Sequence, residues 1–213
     1  KPSNHPLACI DSPIDFAAMV PSQVFGSLQV PAEREKLRQI RQLIIGGGAI
    51  PQDVESQLRS FPNAVWSTYG MTETLSHIAL RRINGAEASE WYQPFDSVRI
   101  SQTDEGCLVI DAPQVCAEPL VTNDIVEIES YIYNKVEKHD EVEKNEVVEK
   151  LRFRIKGRKD NVICSGGIKI QIEEVEALLK PHLEKPFMIA KKKDEKFGEI
   201  AVLLTEDEDL KKV

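Results

Sequence analysis

Arg41–Ile45 (RQLII) runs straight into Gly46-Gly47-Gly48, and Pro51 then opens the polar–apolar stretch Gln52–Ser60. Five residues of that kind are strand-length and apolar at their end. Three glycines cannot continue a strand, and a proline fits the first turn of a helix. Val54 and Leu58 recur at i, i+4, so Gln52–Ser60 presents one apolar stripe. On either side the pattern repeats. Asp15–Val20 (DFAAMV) is a short strand ended by Pro21, Ser22–Leu28 is helical, and Pro31–Gln39 is a polar helix. Val65–Thr68 is a further short strand, followed by Tyr69-Gly70. Strand, glycine turn, helix, strand is the order of a parallel sheet covered by helices.

Beyond residue 96 the texture changes. Ser97–Ile100, Cys107–Ile110 and Ile125–Ile128 are short strands separated by turns such as Asp104-Glu105-Gly106, which predicts antiparallel β-structure or a small barrel appended to the sheet. Glu137–Lys150 carries six acids and three lysines, and reads as a solvated long hairpin or helix. The last sixty or so residues form a small α+β unit. Leu151–Ile155 alternates. Val162–Cys164 and Ile168–Ile170 are strands about the turn Ser165-Gly166-Gly167. Ile172–Leu179 is a helix with Ile172, Val175, Leu178 and Leu179 on one face. Phe187–Ala190 and Ile200–Leu204 are strands joined by the charged turn Lys191–Lys196. The expected domains are 1–156 and 157–213.

Composition narrows the function classes. The 213 residues hold 27 Lys+Arg against 35 Asp+Glu, a net charge of −8, with 41% hydrophobic residues. That supplies a core, so a disordered acidic tail is excluded. A net acidic chain lacks the basic footprint of a nucleic-acid binder. No apolar run approaches the roughly 18–20 residues of a membrane span. The four cysteines (Cys9, Cys107, Cys116, Cys164) show no CxxC spacing and the four histidines no HxxxH, so no zinc pattern and no dense disulfide framework is present. Buried or half-buried free thiols in a reducing, cytoplasmic compartment are the expectation. There is no secretory leader pattern and no initiator Met, so the chain reads as beginning inside a longer protein.

Four stretches can carry chemistry, each with a plainer reading beside it. Gly46–Pro51 can let backbone approach an anionic ligand, or be a tight turn only. Ser67–Thr74 (STYGMTET) offers a ring to stack on a purine, a Thr hydroxyl for a phosphate oxygen and a Glu for Mg²⁺, or a helix start with Thr72 as its cap. Asp124, in Thr122-Asn123-Asp124, can accept ribose hydroxyls, or backbone N–H groups of a turn. Gly157-Arg158-Lys159-Asp160-Asn161 can be an interdomain hinge, or a hairpin with a basic tip.

The order of these stretches is more specific than any one of them. GGGA (46–49), STYGMTET (67–74), TND (122–124), GRKDNVICSGGIKI (157–170) and IEEVE (172–176) together resemble the adenylate-forming superfamily of acyl- and aryl-CoA ligases, peptide-synthetase adenylation domains and luciferases. The resemblance covers essentially the whole chain except the acidic excursion, and Asp15–Val24 is similar to the superfamily's strand–Val-Pro–helix unit. It implies that Tyr69 stacks on adenine, and that Gly47, Gly48 and Ala49 line the adenine and acyl pocket beside Gly70. It implies that Thr72 contacts the α-phosphate, Glu73 holds Mg²⁺, and Asp124 with Arg158 binds the ribose. Asp160 takes the hinge position of a rotating C-terminal lid, and Gly166 and Gly167 flank the path of the pantetheine arm of coenzyme A. The implied reaction joins a carboxylic acid to CoA through an acyl adenylate, with ATP consumed and AMP released.

Within the superfamily, Gly46-Gly47-Gly48 with Tyr69–Ile78 (YGMTETLSHI) is most similar to the o-succinylbenzoate–CoA ligases of menaquinone biosynthesis. That similarity places Ser76 and His77 at the acyl pocket; the plainer reading of His77 is a helix-face residue packed near the core. The superfamily's Ser/Thr/Gly-rich phosphate loop and its PKTxxGK-like end are both absent. The chain therefore reads as the C-terminal part of a ligase, inactive in adenylation by itself, from an enzyme for which a homo-oligomer is compatible. Other acyl- or aryl-CoA ligases and peptide-synthetase-type domains stay open as alternatives. So does a non-enzymatic α/β binding module in which Tyr69–Glu73 only caps a helix.

Overall fold

The computed structural model describes Ser3, His5–His139 and Val142–Asp207. It divides into two compact units. The first comprises Lys1–Ile100, Ile110–Leu120 and Ile128–Arg154; the second comprises Ser101–Val109, Val121–Glu127 and Ile155–Val213.

In the first unit the chain runs β1 (Phe16–Met19), α1 (Pro21–Gln29), α2 (Pro31–Gln39), β2 (Gln42–Ile45), α3 (Gln52–Leu58) and β3 (Ala64–Gly70). Pro21 and Pro31 occupy first-turn positions, where the missing N–H costs nothing. The Gln23 side-chain oxygen accepts from the Val20 N–H at 3.1 Å and closes the start of α1. β1 pairs parallel with β2 (Ala17↔Leu43, Met19↔Ile45) and β2 parallel with β3 (Leu43↔Val65, Ile45↔Ser67). Alternation along β2 and β3 sends Leu43, Ile45 and Val65 into one core with Val24, Leu37, Val54 and Leu58, all of them enclosed. Each such side chain contributes roughly 1.5–3 kcal/mol by leaving water.

The parallel order ends at β3. A single 3₁₀ turn, Thr72–Thr74, leads not into a helix but into β4 (His77–Arg82), which pairs antiparallel with β3, and β5 (Gln93–Pro94) follows on β4. The sheet is therefore mixed, ordered β1-β2-β3-β4-β5. Thr72 is accordingly no helix cap and His77 no helix-face residue. The turn is held by Thr74, whose hydroxyl oxygen accepts from Met71 N–H at 3.0 Å.

The appended segments are β6 (Arg99–Gln102), β7 (Cys107–Asp111), β8 (Leu120–His139) and β9 (Val142–Arg158), forming a four-stranded sheet in that order. The acidic stretch expected over 137–150 belongs to the two long strands β8 and β9; its residues 140 and 141 lie outside the described residues.

In the second unit, β10 (Val162–Ser165), β11 (Ile168–Gln171), α4 (Ile172–Leu179), β12 (Phe187–Asp194) and β13 (Gly198–Thr205) build an antiparallel sheet ordered β11-β10-β13-β12. β12 and β13 pair from Phe187↔Thr205 to Asp194↔Gly198, so the expected charged turn is mostly strand. Ile163 and Ile189 are buried, whereas Leu178, expected on the inner face of α4, is 73% exposed. All four cysteines are free thiols, and Cys9 and Cys164 are exposed rather than half-buried.

Candidate functional site

In an open sheet the C-terminal ends of parallel strands are where ligands find backbone amides and turns. Here those ends are Val20 after β1, Gly46–Ala49 after β2 and Gly70–Glu73 after β3. Gly46 extends the ladder by donating its N–H to Met19 carbonyl at 3.1 Å. A Cβ on Gly46 would run into the Thr68 hydroxyl of the neighbouring strand, so this glycine is required by packing. Gly47 turns the chain with φ +83° and lies against Val20. Gly47, Gly48 and Ala49 are exposed. The three glycines thus divide: one closes the sheet, and the next two present backbone to solvent at its edge.

Gly70 has the opposite neighbourhood. A Cβ there would strike the backbone of Ser76 and His77, because the register shifts between Tyr69 and Gly70 as β4 turns back on β3. The close return leaves Thr72, Glu73 and Ser76 exposed and His77 half-exposed. Ser76 Oγ and His77 Nδ1 are 3.1 Å apart, and the His77 ring meets Phe95 with centroids 5.5 Å apart. The Glu73 carbonyl accepts from the Cys116 thiol at 2.9 Å, so that bond uses the backbone and not the carboxylate. Leu75 is 78% exposed and sits at φ +60°, a conformation that costs a non-glycine residue roughly 1–3 kcal/mol. Leu75 thus sits strained and exposed on the same turn as exposed Thr72 and Glu73.

Tyr69 is buried, 7% exposed, two residues beyond Ser67 on the same face of β3. Phe153 meets its ring nearly perpendicularly (centroids 5.0 Å, 78°) and Tyr92 meets it tilted (5.8 Å, 58°), so neither lies parallel to its face. Tyr92 and Phe153 are themselves stacked and joined by an isolated antiparallel bridge. Glu55 on α3 takes two hydrogen bonds from Arg81 on β4, at 3.1 and 2.5 Å. Burial raises the Glu55 pKa, but the hydrogen bonds and charge of Arg81, with those of Arg59, outweigh it and hold the carboxyl below its ordinary value. None of Glu55, Arg81, Tyr92 or Phe153 stands in a recognisable local motif; only their burial and pairing reveal them.

In the second unit, Asp124 lies inside β8 rather than at a strand start. Its own N–H donates to Thr122 Oγ at 3.1 Å, and Arg158 Nη1 stands 4.0 Å from its carboxylate. Arg158 also reaches Asp160 at 3.6 Å, and the Asp160 carbonyl accepts from Lys191 at 2.6 Å. Asp160 lies in the 3₁₀ turn Lys159–Asn161, between β9 and β10. Glu173, at the start of α4, accepts from Asn161 at 2.6 Å; burial raises its pKa, and bonds from Asn161 and Gln171 more than reverse that. Gly166 and Gly167 are the two residues between paired Ser165 and Ile168, with φ +57° and +89°. Positive φ at both positions is the hairpin turn that favours Gly-Gly, so the turn alone accounts for both glycines.

No cluster of three or more His, Cys, Asp or Glu able to hold a metal occurs among the described residues. A lone exposed carboxylate such as Glu73 nevertheless fits Mg²⁺, which keeps several waters and shares its remaining positions between one or two carboxylates and a substrate phosphate. No helix among the described residues is long and apolar enough to cross a membrane.

No family model matches the chain. It is 26% identical over 191 residues to 2-succinylbenzoate–CoA ligase of Salmonella typhimurium, an alignment covering 89% of this chain and 39% of that protein. Its fold is similar to that of an acyl-CoA synthetase (AMP-forming)/AMP-acid ligase II-like protein from Dyadobacter fermentans, with TM-score 0.60, 30% identity, and 97% of this chain and 55% of that one covered. It is also similar in fold to E. coli MenE bound to a phenylether-linked analogue of OSB-AMS, with TM-score 0.63, 22% identity, and 97% and 43% covered. The resemblance to AMP-forming acyl-CoA synthetases therefore holds in fold and sequence, and the chain spans about half the length, or less, of these relatives.

Proposed function

We propose that the protein serves an ATP-dependent, AMP-forming acid–CoA ligase, with o-succinylbenzoate as the acid. One observation carries this reading. The ends of β2 and β3, adjacent in the sheet, present Gly47-Gly48-Ala49 and Thr72-Glu73 to solvent, in the order and spacing that the ligases share. The choice of acid rests on the similarity to 2-succinylbenzoate–CoA ligase and on the Thr-Glu-Thr-Leu-Ser-His run, and places Ser76 and His77 at the acid.

In the proposed chemistry a carboxylate oxygen attacks the α-phosphorus of ATP and pyrophosphate leaves. The CoA thiol then attacks the acyl carbon and AMP leaves. The Thr72 hydroxyl donates to an α-phosphate oxygen as charge builds there, and Glu73 supplies the carboxylate for Mg²⁺. That ion, when bound, neutralises charge on the phosphates. Tyr69 offers its ring to the adenine and Gly47, Gly48 and Ala49 their backbone, with Gly70 permitting the tight return beside them. Asp124 accepts the ribose hydroxyls with Arg158 alongside. Asp160 is the hinge of a lid spanning 157–213, and Gly166 and Gly167 admit the pantetheine arm.

Glu73→Gln tests the core of the reading. Loss of one stabiliser of developing phosphate charge lowers the rate by about 10²–10³. The ATP–pyrophosphate exchange rate in the full natural protein is the measurement, and affinity for the acid should change far less. A rate within twofold of the parent would return Glu73 to an ordinary surface residue.

A further inference from the structure

Tyr69 is 7% exposed with its ring against Tyr92 and Phe153, so how a purine meets it depends on how those neighbours hold it. Four features converge on the neighbour that could hold it. The Tyr92 hydroxyl shares a 2.7 Å hydrogen bond with Ser67 Oγ, both groups buried, and Ser67 is on β3 two residues before Tyr69. The Tyr92 backbone exchanges two hydrogen bonds with Phe153, N–H to carbonyl at 2.7 and 3.1 Å. The Tyr92 and Phe153 rings stack at 5.5 Å, and both touch the Tyr69 ring. The Arg81 guanidinium lies 5.4 Å from the Tyr92 ring centroid, and is itself fixed by Glu55 and by donating to the Ser89 carbonyl at 3.3 Å.

We infer that Tyr92, anchored on Ser67 and capped by Arg81, is a positioning residue that sets the Tyr69 ring for an adenine nucleotide. This rests on the proposed nucleotide role of Tyr69 and extends it to residues outside any motif of the chain. The phenolic oxygen lies on the ring axis, so this directional bond pins the tip of the Tyr92 side chain and with it the tilt of the ring against Tyr69, which packing alone would leave looser. The stacked Tyr92–Phe153 pair then forms two sides of the slot in which Tyr69 sits. The polar chain Glu55–Arg81–Tyr92–Ser67 ties α3, β4 and β3 to that slot. All four side chains are mostly enclosed, so they act on the base only through the Tyr69 ring.

The test compares AMP affinity, by calorimetric titration of the full natural protein, across four versions with melting curves in parallel. Tyr69→Leu is expected to weaken AMP more than tenfold. Tyr92→Phe is expected to weaken it about three- to tenfold and to lower the melting temperature, because Ser67 is left with an unmet buried hydroxyl. In Tyr92→Phe with Ser67→Ala both partners are apolar, and melting should return towards the parent. AMP affinity should not return with it, since nothing pins the tip of the ring. If the double variant recovers both melting and AMP binding, or if Tyr92→Phe binds AMP like the parent while Tyr69→Leu does not, Tyr92 is structural only and the inference is overturned with the role of Tyr69 intact. If Tyr69→Leu binds AMP like the parent, or the parent does not bind it, the role of Tyr69 falls and the inference falls with it.

Discussion

Each unit contains an arginine facing a carboxylate, and the two pairs are built differently. In the first, Arg81 and Glu55 are both mostly enclosed, bonded twice, and joined by Arg59 on one side and Tyr92 on the other. In the second, Arg158 is over half exposed and stands 4.0 Å from Asp124, dividing itself between that residue and Asp160. The first pair has its hydrogen bonds satisfied internally and little capacity left for a ligand. The second is long and shared, with Arg158 over half exposed and Asp124 mostly enclosed, so the arginine keeps hydrogen-bonding capacity that Arg81 does not. The closed pair is built as scaffold, and the loose one is the pair to which the proposed function gives a ligand. A carboxylate with a depressed pKa, as Glu55 has, is not evidence for a role in chemistry.

The largest expected effect comes from breaking the closed pair. Arg81→Met leaves Glu55 enclosed without its main partner, and removing one member of a buried pair costs about 3–5 kcal/mol. Urea unfolding at neutral pH is the measurement. The same variant should change the acid limb. The folded Glu55 pKa lies below the ordinary 4.5, so the parent gains stability from this group above that value and loses it as pH falls through the lowered one. With Arg81 gone the main cause of that depression is removed, and the loss of stability attributable to Glu55 as pH falls below 4.5 should shrink with it. A destabilisation under 1 kcal/mol would mean that the pair is no tighter, in energy, than its exposed counterpart.

How far this contrast was legible before the structure follows from the range of the interactions involved. The β–α–β order of β1 to β3 could be read because glycine and proline act on their own backbone. The hairpin at Gly166-Gly167 could be read for the same reason. β4 was missed, because Thr72–Thr74 begins like a helix and only the backbone return at Gly70 turns the chain antiparallel. Its alternation, Ile78 and Leu80 against Ala79 and Arg81, was masked by both faces being partly buried. Leu178 shows the converse, a correct helical period with a residue that nothing covers. Glu55 and Arg81 are 26 residues apart, and Ser67 and Tyr92 are 25, so no local pattern could join them. Among candidate site residues, the sequence order pointed to the exposed turn Thr72-Glu73. The enclosure of Tyr69 by Tyr92 and Phe153 had no sequence signal at all.

A smaller effect is expected in the second unit. Arg158→Met removes a long, half-solvated contact, and exposed pairs of this kind are worth about 0–1 kcal/mol. Urea unfolding should place the variant within that range of the parent, while affinity for AMP falls because the cation beside Asp124 is gone. A loss of stability comparable to that of Arg81→Met would make Arg158 part of the scaffold and remove the contrast. Unchanged AMP affinity would separate Arg158 from the ribose.

The smallest effect should come from a pair that looks strong by distance alone. Lys159 and Glu105 are in close ionic contact, and each moves the other in the direction expected of opposite charges: the hydrogen bond and charge of Lys159 lower Glu105, and those of Glu105 raise Lys159. Both side chains are exposed, Lys159 at 47% and Glu105 at 61%. In water the attraction of two unit charges is divided by a dielectric constant of about 80, and at physiological ionic strength it is screened over about 8 Å. Two long side chains must also give up rotamer freedom to stay together, which offsets most of what remains. Lys159→Met should therefore leave the melting midpoint within about 2 °C of the parent at both low and high salt. The Glu105 carboxyl, followed by NMR titration, should return upward towards its ordinary value in the variant, since its partner is gone. A midpoint shift well beyond that range, fading as salt is added, would show that an exposed contact can hold this unit together. Exposure would then no longer separate the scaffold pair from the candidate-site pair, and Arg158 would need to be judged by ligand affinity alone.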